Sequence, residues 1–311
     1  MRNRLCLLVL LFSLNSYSQT QEEAKVEQNP PVNPASASKP RWETQIETWN
    51  LTPNQKKNYT YAGMAIFPSA MFVYGVTSWG WISDGISFRM RDEKMFQRDT
   101  YAGGADKVSH MYSLFMAEHA YYSYFLRLGW SPTEANKLAM AGAAATGLFI
   151  EIGDGISNYG FSVDDLLVDF IGVAFAGLLN AYPDLDSKIG FQCQYWNTTP
   201  NTAHPNRKIP NPIDDYNNQK YVINIKAAGF EPLAEHWATK FVNLDVGYYS
   251  RGYKGDPGNP NKDPEKFTRN MFLGLSLNLS EIFDGKSKVA STIFKYYQTP
   301  YNAVQVKKFP L

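Results

Sequence analysis

Acids and a histidine recur at helical spacing inside apolar surroundings over residues 106–172. The runs are Asp106-Lys-Val-Ser-His110, Glu151-Ile-Gly-Asp154 and Ser162-Val-Asp-Asp165-Leu-Leu-Val-Asp169-Phe-Ile-Gly172. Asp106 and His110 stand four apart, Asp165 and Asp169 likewise, and Glu151 and Asp154 three apart, so each pair shares a helix face. Burying a charge on an apolar helix is costly unless it is paired, hydrated or bound to a metal. Three helices that each offer two oxygen or imidazole groups can build a carboxylate-rich metal centre of the helical-bundle kind. One imidazole among acids suits a hard or borderline divalent ion. The expected metal ligands are His110, Glu151, Asp165 and Asp169. In a catalytic version of this centre, Asp106 or Asp154 is the candidate general base, and the chemistry is metal-dependent hydrolysis of lipid or cell-wall substrates.

Each of these residues also has a purely structural reading. Asp106 follows Gly103-Gly104 and could simply cap its helix. Asp165 could be no more than the capping-box acid answering Ser162. Lys107 can neutralise any of the acids. Gly153 and Gly155 suggest that the helix carrying Glu151 ends there into solvent. A lone His110 would more often be a packed core residue. Asp169 resists such a reading, because Leu166, Leu167, Phe170, Ile171 and Val173 surround it in mid-helix. Glu118-His119 offers a further pair on a face offset from His110, and His204 and His236 have no partner at matching spacing. The chain has no Gly-rich phosphate loop, no Gly-x-Ser-x-Gly elbow and no zinc-type cysteine pair. Nothing marks Ser109 or Ser113 as an activated nucleophile.

The elements that must position these groups follow from pattern. Residues 50–183 read as about four apolar helices. Residues 58–83 carry no charge and end on Trp79 and Trp81, long enough to cross a bilayer, although Pro68 and several hydroxyls suit a buried hairpin equally. A second helix starts near Asp106 and stops at Gly129. A third starts at Ser131-Pro132-Thr133-Glu134, with serine as cap and proline in the first turn. A fourth starts at Ser162 and stops before Pro183. Beyond residue 183 the period changes to two, in Tyr221-Val-Ile-Asn-Ile-Lys226, in residues 241–248 and in residues 271–279. Leu273, Leu275, Leu277 and Leu279 face one way, and Gly274, Ser276 and Asn278 the other. Such alternation resembles outer-membrane barrel strands and also suits a sheet with one covered face, but so few strands cannot close a barrel alone. The expected fold is α+β, a helical bundle followed by a small antiparallel β region.

The beginning of the chain reads as an export signal: Arg2 and Arg4, an apolar run over residues 5–14, and Ser16-Tyr17-Ser18 before Gln19. Residues 20–49 read as a disordered tether rich in Pro, Ser, Ala, Asn and Glu. The helical domain is expected over residues 50–183, a Pro/Asn-rich connector over 184–220, and the β-rich region over 221–311. After signal removal Cys193 stands alone, which excludes an intramolecular disulfide. Lys+Arg 30 against Asp+Glu 29 gives a net charge of +1, so no bulk field favours nucleic acid. Aromatic residues make up 15 %, a content that suits contact with a membrane interface or a sugar. Membrane or envelope lipid is therefore the expected partner.

At Asp106, Lys107, His110, Glu151, Asp154, Ser162, Asp165, Asp169 and Gly172 the chain resembles the uncharacterised YfiM-like family of bacterial envelope lipoproteins. It resembles the VanZ-like membrane proteins more distantly. The resemblance covers roughly residues 103–179 and departs from the lipoprotein pattern at the cleavage point, where no cysteine stands; Cys6 lies too early. It implies an exported, periplasmic or outer-membrane-associated protein and carries no established reaction. The leading expectation is a non-enzymatic envelope protein whose acid/His cluster holds its bundle together or binds an ion or polar ligand at a membrane surface. The alternative is the metal-dependent hydrolase.

Overall fold

Thr52 opens the first long helix. Its hydroxyl accepts from Gln55 N, and Gln55 Oε1 accepts from Thr52 N at 2.9 Å, a reciprocal cap set just ahead of Pro53. The computed structural model describes residues 46–82, 87–196, 213–253 and 267–311. Its long helices are α1 (Pro53–Tyr74), α2 (Ala105–Arg127), α3 (Pro132–Gly155) and α4 (Val163–Ala181). Ser131 and Ser162 cap α3 and α4 by accepting from Glu134 N and Asp165 N. Gly129, at φ +78°, turns the chain out of α2 in a conformation that favours glycine. Two short parallel strands, β1 (Met90–Arg91) and β2 (Phe161–Ser162), pin the segment before α2 beside the start of α4. Trp49, at the end of the expected tether, is fixed by its N–H to Arg127 O at 2.7 Å.

The expectation of a membrane span over residues 58–83 is corrected. Among the described residues no helix is long and apolar enough to cross a membrane. α1 starts early enough to include Lys56 and Lys57, and it passes at Gly75 into a π-helical turn over Gly75–Trp79. Trp81 then folds back and is fully buried against Gly75 and Gly153, neither of which leaves room for a Cβ. The helices of the bundle are likewise not uniformly apolar, because each of α2, α3 and α4 buries ionisable groups.

The remaining elements are α5 (Pro183–Lys188), β3 (Ile189–Tyr195), β4 (Gln219–Lys226), α6 (Glu231–Ala234), β5 (Val242–Arg251), β6 (Thr268–Leu277), α7 (Leu279–Phe283), α8 (Lys288–Tyr296) and β7 (Ala303–Pro310). The sheet is antiparallel throughout, in the order β3-β4-β5-β6-β7. Three features depart from expectation. β3 lies inside the stretch read as a connector, Leu279 begins a helix instead of extending its strand, and α6, α7 and α8 carry helix into the C-terminal half. After α8 the chain returns to the outer edge of β3, where Tyr297 bridges Cys193 and Gln298 N donates to Cys193 O at 3.0 Å. The signal segment, nearly all of the tether, His204 and most of the loop over residues 252–264 lie outside the described residues.

Phe115 of α2, Ala176 and Leu179 of α4, Phe191 of β3 and Tyr221 of β4 form one buried cluster, so helices and sheet share a core. Glu47–Leu311 accordingly makes one compact unit. Beyond this contact the sheet has an unusual polarity. Ile225, Leu244, Leu275 and Val304 are cross-strand neighbours in one row, and they are 37 %, 42 %, 47 % and 69 % exposed. One residue earlier on β4 and one later on β5, Asn224 and Asp245 pair on the opposite face, at 1 % and 0 % exposure. Asp245 accepts there from Asn224 (2.7 Å), Ser276 (3.0 Å) and Gln298 (3.0 Å).

Candidate functional site

The first turn of α2 brings Asp106 and Lys107 into the bundle. Gly104, at φ +85°, occupies the cap position of this helix without any side-chain cap, so Asp106 is not a helix cap. Lys107 is fully buried, and its Nζ lies 2.7 Å from Asp106 Oδ2, 2.7 Å from Asp165 Oδ1 of α4, and in contact with Glu93. An ammonium without water must satisfy its donors within the protein, and these three acids do so. Glu93 arrives from the segment between β1 and α2, where the β1–β2 pairing holds it over the helix ends.

One turn along α2, His110 Nδ1 lies 3.2 Å from Asp169 Oδ1 of α4 and 3.7 Å from Glu151 Oε1 of α3. Glu151 Oε2 accepts from Ser162 N at 3.0 Å, which joins the end of α3 to the start of α4. Asp165 is not simply a capping-box acid. Its N–H meets Ser162 Oγ, but its carboxylate goes to Lys107. Asp165 also belongs to a second set, because one ligand atom each from His110, Glu151 and Asp165 lie within 4.8 Å of one another. Asp169 is fully buried, and Gly147 of α3 makes room for it, since a Cβ there would stand 2.9 Å from Asp169 Oδ2. Glu151, expected near a solvent-exposed helix end, is buried as well.

The electrostatics follow from burial among opposite charges. Burial opposes the imidazolium of His110, but Asp165, Asp169 and Glu151 hold its pKa well above the usual imidazole range. Burial likewise opposes the Lys107 ammonium, and Asp106, Asp165 and Glu93 more than offset it, so the side chain stays charged. Asp165 is held low because His110 and Lys107 outweigh its burial. Glu93, Glu151 and Asp169 are all raised, in each case chiefly by burial.

Asp154 separates from Glu151 despite their spacing. Its Oδ1 accepts from Trp81 Nε1 at 2.7 Å, and burial pushes its carboxyl up to about 7. Glu118 and His119 form a different buried group further along α2. Asn180 Nδ2 donates to both Glu118 oxygens, at 3.0 and 2.8 Å, and to Asn136 Oδ1 at 3.3 Å, linking α2, α4 and α3. His236 is exposed and far in sequence from this group. Glu93 is the member of the cluster that sequence reasoning missed. It stands in the run Arg91-Asp92-Glu93-Lys94, which has the composition of a solvated loop; its only signal is closeness in sequence to Lys107.

A family described as "Predicted periplasmic lipoprotein (DUF2279)" matches residues 92–181. That span holds the whole ion cluster, from Glu93 to Asp169. The match is to an uncharacterised envelope lipoprotein-like family, and the chain is exported, with a periplasmic or outer-membrane-associated location. No curated protein and no solved structure matches the chain.

Proposed function

We propose that this chain is a non-enzymatic envelope protein that lies against a membrane surface. Its helical half is a rigid body held by the buried ion cluster, and its sheet offers an apolar face to lipid. The observation that carries the reading is a local reversal of polarity along one row of the sheet, on the same face that elsewhere packs Phe191 and Tyr221 into the shared core. A sheet in water packs its apolar face inward and wets its polar one. Here the row Ile225, Leu244, Leu275 and Val304 points outward while Asn224 and Asp245 are buried behind it. Trp237 and Tyr301, 76 % and 86 % exposed, precede the strand starts at one end of this face, where interfacial aromatics are favoured. The likeness to YfiM-like envelope lipoproteins at Asp106, Lys107 and His110 supports the same placement.

The hydrolase reading has less support. Asp106 Oδ2 is engaged by Lys107, and Asp154 Oδ1 by the Trp81 indole, so each candidate base already has a structural partner. Fractionation of cells producing the full chain tests the proposal. Apolar contact with lipid is insensitive to screening, so the protein should stay with membranes through a high-salt wash. Recovery wholly in the soluble periplasmic fraction would contradict it.

A further inference from the structure

The ion cluster has two corners, and they differ in what fills them. Ligand atoms of Glu93, Asp106 and Asp165 lie within 4.8 Å of one another, but the Lys107 ammonium occupies the space between them. Ligand atoms of His110, Glu151 and Asp165 lie within the same 4.8 Å, and Lys107 reaches only Asp165 of that set. Two further atoms point to an unmet cation. Glu151 Oε1 and Asp169 Oδ2 are buried and accept no hydrogen bond among the described residues, a costly condition for carboxylate oxygens. Neighbouring ligands each about 2.1 Å from a divalent ion stand about 3.0–3.5 Å apart. His110 Nδ1 stands 3.2 Å from Asp169 Oδ1 and 3.7 Å from Glu151 Oε1, so small adjustments would suffice. The cluster sets five carboxyl groups (Glu93, Asp106, Glu151, Asp165, Asp169) against two cationic side chains, Lys107 and His110. The imidazole is the part of the set nearest solvent, its side chain 19 % exposed against 1 % for Glu151.

We propose that His110, Glu151, Asp165 and Asp169 bind one divalent transition-metal cation at the junction of α2, α3 and α4. One imidazole among carboxylates suits Mn²⁺ or Zn²⁺. Lys107 is a positioning residue in this arrangement, because its ammonium holds Asp165 Oδ1 at 2.7 Å. The site does not depend on lipid contact, so failure of membrane binding would leave it standing, and the converse also holds.

The test is calorimetric titration of the full chain, stripped with chelator and returned to chelator-free buffer near neutral pH, with ZnCl₂ and with MnCl₂. One equivalent of at least one of the two ions should bind. His110→Ala and Glu151→Gln should weaken that binding by at least about tenfold, and Glu118→Gln, in the separate buried group, should leave it unchanged. Should His110→Ala fail to fold, Asp169→Asn, which keeps the size of the side chain, takes its place with the same expected loss. X-ray absorption of the bound metal should show nitrogen and oxygen ligands, imidazole among them, and no sulfur. Binding of less than about a tenth of an equivalent of both ions would overturn the proposal. So would equal affinity in the wild type and in the folded His110 or Asp169 variant, which would mark adventitious surface binding.

Discussion

Ser162 N donates to Glu151 Oε2 across 3.0 Å, so an acid near the end of α3 caps the start of α4. In a local capping box that acid would come from Asp165, three residues after the serine. Because Glu151 supplies it instead, the Asp165 carboxylate is left for Lys107 and the His110 corner. The cap of one helix and the ion cluster of the bundle are thus a single network.

Glu151→Ala should destabilise the fold by about 3 kcal/mol, because it leaves both a buried N–H and part of a buried charge set without partners. Urea denaturation measures this. A loss no larger than for an exposed glutamate such as Glu134 would show that the cap and the cluster are not coupled.

Lys107→Met should be more damaging, at about 3–5 kcal/mol, since Glu93, Asp106 and Asp165 would then face one another without their shared cation. The comparison is Lys94→Met, which removes only the exposed pair with Asp99 and should leave stability nearly unchanged. Similar urea midpoints for the two variants would remove Lys107 from its organising role.

Gly172→Ala should cost about 1–3 kcal/mol. A Cβ at Gly172 would collide with the Met111 backbone carbonyl of α2, and backbone cannot rotate away. At Gly142 the nearest atom is the Met64 sulfur at 2.9 Å, the end of a flexible side chain, so Gly142→Ala should cost less. The reverse order of melting temperatures would mean that α2 and α4 are not held as closely as described.

Stability should fall as pH rises above about 6.5, and Glu118 should be one cause. Burial pushes Glu118 up to about 8 and His119 down to about 3, from ordinary values near 4.3 and 6.5. Between about 4.3 and 8 the folded chain keeps a proton on Glu118 that the unfolded chain has lost, so stability drops as pH rises, by up to about 1.4 kcal/mol per pH unit. Below about 6.5 the folded chain lacks a proton that unfolded His119 binds, so stability drops as pH falls. The two slopes oppose each other from about 4.3 to 6.5; above that Glu118 acts in the same direction as the other groups whose protons the fold retains, among them Glu93, Glu151 and His110. Glu118→Gln should make the melting-temperature profile less steep between about pH 6.5 and 8, and steeper between about 4.3 and 6.5, where its opposing slope is lost. Parallel profiles for wild type and variant would contradict this.

Local chemistry was legible in the sequence, and long-range closure was not. Ser131 and Ser162 announce α3 and α4 because a serine cap acts within three residues, and the helices begin at Pro132 and Val163. The four-residue spacings put Asp106 and His110, and Asp165 and Asp169, on shared faces. Glu93 carries no periodic signal, because only the β1–β2 pairing folds its segment over Lys107. Glu151 and Asp154 part company because Trp81, folded back after α1, captures Asp154. Strand β3 reads as connector because Gln192 and Gln194, buried on one face, alternate with its core residue Phe191 and break up an apolar run, and β7 is obscured by Lys307, Lys308 and Pro310.

The most direct measurement of the central claim is flotation of the full chain with phospholipid vesicles in high salt, for the wild type and for Leu244→Asp/Leu275→Asp. These leucines face each other on neighbouring strands of the exposed row, away from the shared core, so the double variant should fold with a near-native melting temperature. The expected result is that the wild type rises with the vesicles while the double variant stays at the bottom of the gradient. A wild-type protein that remains at the bottom, or a folded double variant that floats equally well, would contradict the claim that this face lies against lipid.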